Sequence, residues 1–168
     1  MPKKPPKQEC HECLEPIAWL IGRWVTEDGH GSYHYAPSFS FSEELEFIYS
    51  EDEPLFDFMS TAKHSNKPLS LYERGYLHMP NPKRVQLLNT HNYGYTASEI
   101  GRYKSRINEI KLKSVTLTAK PGVPRPYLLK TKRTFRLLSP DTLEYVRYLK
   151  TEITPMTQYL VAIFKKVE

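Results

Sequence analysis

The residues of this chain that could carry out chemistry are two cysteines, six histidines and a few carboxylates and phenols. Cys10 and Cys13 have the CxxC spacing of a metal site or a redox pair, but a structural zinc site needs four ligands and no second CxxC follows. A single histidine is more often a hydrogen-bonded structural residue than a ligand. We therefore predict two unmodified thiols and no metal site built from protein ligands alone.

Glu43 and Tyr159 occupy positions that suggest a ligand cavity. Segment 39–47 alternates with period two, and Glu43 shares the apolar face with Phe41 and Leu45. An inward carboxylate must be paired, protonated or at a water-filled mouth, so Glu43 lines a cavity, partners a buried arginine or backbone amide, or is turned outward by a bulge. Tyr159 lies in a segment that is apolar on both alternating faces. Such a segment requires cover on both sides and offers the phenol to a cavity or to a buried hydrogen bond.

The motifs and the charge of the chain argue against several function classes. No GxSxG, P-loop or GxGxxG motif is present, so neither a hydrolase of that type nor a nucleotide-binding protein is indicated. Basic and aromatic residues interleave in 130–136, but a strand with one solvated basic face explains them better than a nucleic-acid groove. The formal net charge of +5 suits an anionic ligand or surface and is too dispersed to indicate nucleic acid. We expect no nucleic-acid partner.

Period-two alternation and frequent prolines predict an all-β fold that positions these groups. Segment 15–22 has Pro16 near its start and Gly22 at its end, which predicts a short helix before the first strand. Ten strand-like segments without helical patterns between them indicate an antiparallel up-and-down barrel or a sandwich with a solid core. We favour the barrel, because closure removes exposed edges and a barrel above eight strands has room for a ligand cavity. The predicted strands are 22–27, 38–48, 55–62, 69–78, 84–90, 93–98, 107–118, 127–138, 142–150 and 157–166.

Length and composition indicate one compact intracellular domain. A chain of 168 residues with 39% hydrophobic and 12% aromatic residues can bury a core without a disulfide or a metal. Residues 1–12 are predicted to form a flexible basic and proline-rich tail, and residues 13–168 a single domain. No apolar run approaches the roughly 18 residues of a membrane span, and no signal-peptide pattern is present. We expect a cytoplasmic protein, with the nucleus as a second compartment, that is a monomer or a homodimer.

Several motifs, in this order along the chain, resemble the nitrobindin family of small haem-binding β-barrels. Segment 15–24 (EPIAWLIGRW) is similar to the family's opening P-L-x-W-L-x-G-x-W, and segment 155–160 (PMTQYL) is similar to its P-M-T-x-H-L. The resemblance runs from about Leu14 to Glu168. The other stretches that carry it are 41–47, 67–69, 75–77, 92–94, 135–137 and 143–145.

The resemblance implies a ten-stranded barrel related to fatty-acid-binding proteins, with b-type haem in its mouth, nitric oxide binding and isomerisation of peroxynitrite to nitrate. Family members bind ferric iron through a histidine of the last strand, and that position is Tyr159 here. A tyrosine can bind ferric haem as a phenolate when nearby cations lower its pKa. A second family histidine, in P-M-H-x-E, corresponds to Ser70. The implied haem contacts are Tyr159 on the iron and Trp24, Gly22, Phe41, Glu43, Ser70, His91 and Met156 around it.

Two functions of different classes follow from these residues. In the first, the chain is a haem protein with tyrosinate ligation, acting as a haem carrier or as a ferric-haem peroxynitrite isomerase. In the second, it is a haem-free barrel that carries a fatty acid or another lipophilic small molecule, or that serves as an interaction domain. A haem or lipid ligand requires a cavity in the barrel, and the two functions differ in whether the protein binds hemin.

Overall fold

The computed structural model describes residues 11–33, 37–50 and 53–167 as a closed barrel of ten antiparallel strands. Each strand pairs with the next along the chain, and β1 also pairs with β10, so the predicted up-and-down barrel is confirmed. A 3-10 helix over Glu12–Leu20 precedes the barrel. No helix in these ranges is long and apolar enough to span a membrane. The strands are β1 (Gly22–Gly31), β2 (Phe39–Tyr49), β3 (Phe56–His64), β4 (Ser70–Asn81), β5 (Arg84–His91), β6 (Tyr95–Lys104), β7 (Glu109–Ala119), β8 (Leu128–Ser139), β9 (Thr142–Thr151) and β10 (Thr157–Lys166).

All ten predicted strands form, and β6 departs most from its predicted bounds. It continues to Lys104 rather than ending at Ser98. Gly101 lies in this extension, and a Cβ at this position would collide with the backbone carbonyl of Lys111 in β7. The glycine therefore permits a close approach of two strands, whereas in the sequence it interrupts the alternating pattern.

The 3-10 helix covers one end of the barrel, which we call the closed end. Leu14, Ile17 and Leu20 of the helix are fully buried in the barrel core. The indole Nε1 of Trp24 donates a hydrogen bond to the carbonyl oxygen of Leu20 at 2.9 Å, which fixes the helix to β1. Burial of the apolar side chains of the helix and the barrel core supplies the main driving force for folding. The aromatic side chains buried with the helix are Phe47, Phe56, Phe58, Phe135 and Phe164.

At the opposite end, which we call the open end, β7 and β8 separate. They pair only between Glu109–Lys113 and Lys132–Arg136, although β7 continues beside β6 and β8 begins earlier beside β9. One side-chain hydrogen bond crosses the space between them, from the backbone N–H of Thr131 to Ser114 Oγ at 2.9 Å. The backbone ladder of the barrel wall is therefore interrupted between β7 and β8 at the open end, and we call this interruption the lateral gap.

The last strand corrects one expectation and explains the position of Tyr159. Cover on both faces of β10 was predicted, but Ile163 on its outer face is 45% exposed. The expectation is wrong because the barrel wall is a single layer, and isolated exposed apolar side chains are common on protein surfaces. A bulge between Gln158 and Leu160 shifts the register with β9. The bulge takes the Tyr159 ring out of the outer face, and the ring packs against the barrel core.

Candidate functional site

The interior above the aromatic core holds a buried network of charged side chains centred on Glu73. Glu73 Oε1 accepts hydrogen bonds from Arg133 Nη2 at 2.6 Å and from Asn89 Nδ2 at 2.7 Å. Glu73 Oε2 accepts a hydrogen bond from Arg147 Nη2 at 3.2 Å. Glu99 Oε1 accepts a hydrogen bond from Arg133 Nε at 3.0 Å, and Glu99 Oε2 accepts one from Arg133 Nη2 at 2.7 Å. Two carboxylates and two guanidinium groups thus balance each other almost without solvent exposure.

Each member of this network occupies an inward position of its strand, and five strands contribute. Burial alone would raise the pKa of Glu73, but the charges of Arg133 and Arg147 outweigh burial and lower the pKa to about 2. Glu73 is therefore ionised at neutral pH. Sequence reasoning missed the network because 130–136 was interpreted as a strand with one solvated basic face, and Arg133 was not separated from the basic residues of that face. Arg133 lies two residues before Phe135, which is also buried, and this period-two spacing was the signal that Arg133 faces the interior.

Glu43 lies on the inner face of β2 and is buried, as its alternation with apolar residues predicts. Its Oε1 accepts a hydrogen bond from Ser60 Oγ at 2.7 Å, and no ion pair to it forms within the described residues. Burial raises the pKa of Glu43, and the charge of Arg147 opposes the rise without cancelling it. Of the predicted alternatives, neither an arginine ion pair nor an outward bulge is seen at Glu43 among the described residues, and its carboxyl group is paired with a serine hydroxyl.

Tyr159 lies at the open end beside the guanidinium group of Arg147. The Arg147 Cζ atom is 5.9 Å from the centre of the Tyr159 ring. Burial raises the pKa of the Tyr159 phenol, while the charges of Arg147 and Arg133 oppose that rise. Arg147 Nη1 is buried and has no hydrogen-bond partner in the described part of the chain. The arrangement is a neutral phenol next to an arginine with unused hydrogen-bonding capacity.

A pocket of about 340 Å³ opens at the same end of the barrel. Phe39 and Phe41 form one of its walls, and His64 stacks on Phe39 with ring centres 4.9 Å apart. Tyr33 lines the pocket and stacks on the Tyr159 ring at 5.8 Å, so it separates the pocket from Tyr159. The volume lies at the lower end of the range for small-molecule sites, about 300–1,000 Å³.

The structure brings most of the contacts implied by the resemblance to the open half of the barrel. Phe41 lines the pocket. His91 lies inside the barrel with Nε2 3.7 Å from Glu73 Oε1, and burial lowers the pKa of its imidazole. Ser70 begins β4 at the open end, and Met156 precedes β10 and is 40% exposed.

Trp24 and Gly22 lie apart from these residues, near the start of β1 at the closed end. Trp24 is fully buried against the helix, and Gly22 pairs with Phe47 of β2. Their observed contacts are with the core and the neighbouring strand.

The cysteine pair stays a prediction, because Cys10 lies outside the described residues. Cys13 is a free, partly buried thiol whose Sγ is 3.1 Å from His11 Nδ1. His34 also lies outside the described residues. Across the described ranges, no three His, Cys, Asp or Glu side chains are placed to hold a metal ion together.

Comparisons with known proteins identify relatives over nearly the whole chain. "Peroxynitrite isomerase THAP4" of Homo sapiens is 28% identical over 169 residues, which cover 98% of this chain and 28% of the relative. "Peroxynitrite isomerase 2" of Mycobacterium marinum is 28% identical over 159 residues, which cover 94% of this chain and 97% of the relative. The chain thus spans 28% of the length of the human relative and almost all of the mycobacterial one.

Solved structures support the fold. Rv2717c from M. tuberculosis has a TM-score of 0.83 at 22% identity, covering 95% of this chain and 100% of that protein. The S-type phycobiliprotein lyase CPES from Guillardia theta has a TM-score of 0.59 at 7% identity, covering 89% of both chains. The model of one family matches residues 13–166, which confirms the resemblance to nitrobindins. The chain belongs to the family of the THAP4-like, heme-binding beta-barrel domain.

Proposed function

We propose that this chain binds ferric haem at the open end of its barrel through the phenolate of Tyr159. The observation that carries the proposal is the partly buried Tyr159 beside the buried Arg147, whose Nη1 has no partner among the described residues. The guanidinium group of Arg147 lies over the face of the Tyr159 ring, and its positive charge favours an anionic phenolate over a neutral phenol. The charge of Arg147 thus assists loss of the phenol proton.

The donor groups at the open end fit an iron ligand of this kind. A neutral phenol is a poor ligand, and burial keeps Tyr159 neutral in the absence of a metal. A metal ion reverses that preference because it stabilises the anion directly, and Arg147 and Arg133 add favourable positive charge. Lys63 and Lys67 line the pocket and can balance the carboxylates of the haem edge.

Tyr33 controls access to Tyr159, because its ring stacks on the phenol from the pocket side. Tyr33 is 47% exposed, so its ring can leave this position without disturbing the core. Ferric haem would supply a metal centre for chemistry of the kind named in the relatives, peroxynitrite isomerisation. The family membership favours haem over the fatty-acid alternative. Haem binding is therefore the first step to test.

Absorption spectroscopy during hemin addition tests the proposal. The wild-type protein is expected to give a saturable tyrosinate-type spectrum, and Tyr159→Phe is expected to bind hemin more than about tenfold more weakly. Tyr159→His should give a histidine-type spectrum. Tyr49→Phe is the matched control, because Tyr49 packs against Phe56 at the closed end. A histidine-type spectrum in the wild type that persists in Tyr159→Phe would refute the assignment.

A further inference from the structure

Lysines on the outer face of β7, β8 and β9 stand directly opposite one another near the open end. Lys113 is in register with Lys132, and Lys130 is in register with Lys150. Like charges directly opposite on a sheet repel each other. Within the described residues, none of these four lysines forms an ion pair with a carboxylate. We call the four lysines the basic face.

Positive charge on the same strands is compensated further toward the closed end. Lys111 Nζ lies 3.6 Å from Glu109, and Arg136 Nη2 lies 3.1 Å from Glu144. The uncompensated charge is thus confined to the part of these strands that borders the lateral gap.

Exposed apolar side chains surround the same gap. Val115 of β7 is 55% exposed and Leu129 of β8 is 46% exposed, so both sides of the gap carry one. Loops at this end add Tyr127 at 36% and Ile153 at 59%. We call these four side chains the apolar rim. The surface thus combines apolar side chains, which favour a nonpolar environment, with lysines, which attract anionic groups.

We propose that the apolar rim and the basic face together dock on an anionic lipid bilayer. Binding of this kind combines insertion of apolar side chains with attraction between basic residues and anionic headgroups. Docking in this orientation places the lateral gap against the lipid.

The arrangement fits lipid better than a single-stranded nucleic acid. Nucleic-acid grooves use aromatic faces on which bases stack. Here Lys132 Nζ lies 4.9 Å from the centre of the Tyr148 ring, and Arg125 Cζ lies 4.9 Å from the centre of the Tyr127 ring. The aromatic faces of this surface are thus already in contact with cations of the chain.

Co-sedimentation with vesicles tests the proposal on the protein without hemin, so its failure leaves the proposed haem site untouched. The wild type is expected to bind vesicles of phosphatidylcholine and phosphatidylserine, to bind pure phosphatidylcholine weakly, and to bind less as salt increases. The double variant Lys113→Glu and Lys130→Glu should bind at least about tenfold more weakly. Each new glutamate faces a lysine in register, so the variant is expected to fold.

The matched control is Lys83→Glu with Lys104→Glu, which lowers the net charge equally at exposed positions of the closed end. This control should keep at least half of the wild-type vesicle affinity. Leu129→Ser with Ile153→Ser should weaken vesicle binding and leave its salt dependence unchanged. Equal loss in the two charge-reversal variants would overturn the proposal, because net charge would then explain the binding. Tight binding of single-stranded DNA that depends on Lys113 and Lys130, without vesicle binding, would also overturn it.

Discussion

The two ends of this barrel are stabilised by different forces. At the closed end, a helix and a set of aromatic rings exclude water, and the one buried polar atom of Trp24 is satisfied by Leu20. In the open half, buried charges balance one another around Glu73, and Arg147 keeps an N–H without a partner in the described residues. Trp19 Nε1 of the helix is likewise buried without a partner in the described residues, so the two ends differ instead in the buried charges and the pocket of the open half, which give that half its capacity for a ligand.

The buried glutamates show the same difference on a smaller scale. Glu73 has two arginine partners and stays ionised, while Glu43 has a serine partner and keeps a raised pKa. Both side chains are almost fully buried, so burial alone does not determine the charge of a carboxyl group. The position of the arginines decides it.

Removal of the central side chain of the closed end should have the largest effect on stability. Trp24→Ala deletes a fully buried indole and leaves the Leu20 carbonyl without its partner. We expect the free energy of unfolding to fall by about 3–5 kcal/mol, measured by urea denaturation. Ile163→Ala, on the exposed outer face of β10, should change it by less than about 0.5 kcal/mol. Similar losses in both variants would contradict the role assigned to the closed end.

Loss of one charge from the network should have the next largest effect. Glu73→Gln keeps the shape of the side chain but leaves Arg147 without its carboxylate partner and Arg133 with Glu99 alone. We expect a loss of about 3 kcal/mol at pH 7, measured by the same denaturation. A variant as stable as the wild type would show that the network is not a stabilising unit.

The same carboxylate predicts acid sensitivity. The pKa of Glu73 is lowered from 4.5 to about 2 in the folded protein, so its contribution is present above pH 4.5 and is lost as the pH falls toward 2. In this window Glu73 should contribute a slope of about 1.4 kcal/mol per pH unit to the free energy of unfolding. The Glu73→Gln variant should lack this contribution. An unchanged slope in Glu73→Gln would mean that other groups cause the acid sensitivity.

Hemin affinity should also depend on pH, and over a wider pH range than for a histidine-bound haem. The pKa of Tyr159 is raised by burial, so ligation through its phenolate releases a proton at neutral pH. We expect the affinity to rise by up to about tenfold per pH unit between pH 6 and 8. In Tyr159→His the rise should level off above about pH 7. A flat profile in the wild type would argue against a phenolate ligand.

Substitution of Glu43 should have the smallest effect on stability, in contrast to substitution of Glu73. Its raised pKa means that the folded protein favours the protonated form, and this contribution is lost as the pH rises through that pKa. Glu43→Gln, which is neutral and retains an acceptor for Ser60, should change stability by less than about 1 kcal/mol at pH 7 or increase it. A loss as large as that of Glu73→Gln would show that Glu43 is ionised in the folded protein.

The fold followed from the sequence because alternation with period two determines which residues face the core. The same rule placed Glu43 correctly and predicted all ten strands. It did not reveal the charged network, because the partners of Arg133 come from distant strands and a basic segment looks solvated when it is considered alone. It also did not reveal the bulge at Tyr159, because a single-residue bulge has no marker such as glycine in β10.

The most direct test of the account is the electron paramagnetic resonance spectrum of the hemin complex, compared between the wild type and Tyr159→Phe. The account predicts a high-spin ferric signal typical of an anionic oxygen ligand, which Tyr159→Phe removes and Tyr49→Phe retains. Tyr159→Phe should at the same time unfold at the same urea concentration as the wild type, within error, because the closed end is unchanged. A low-spin histidine-type signal in the wild type, or the same signal in Tyr159→Phe, would contradict the assignment of Tyr159 as the iron ligand.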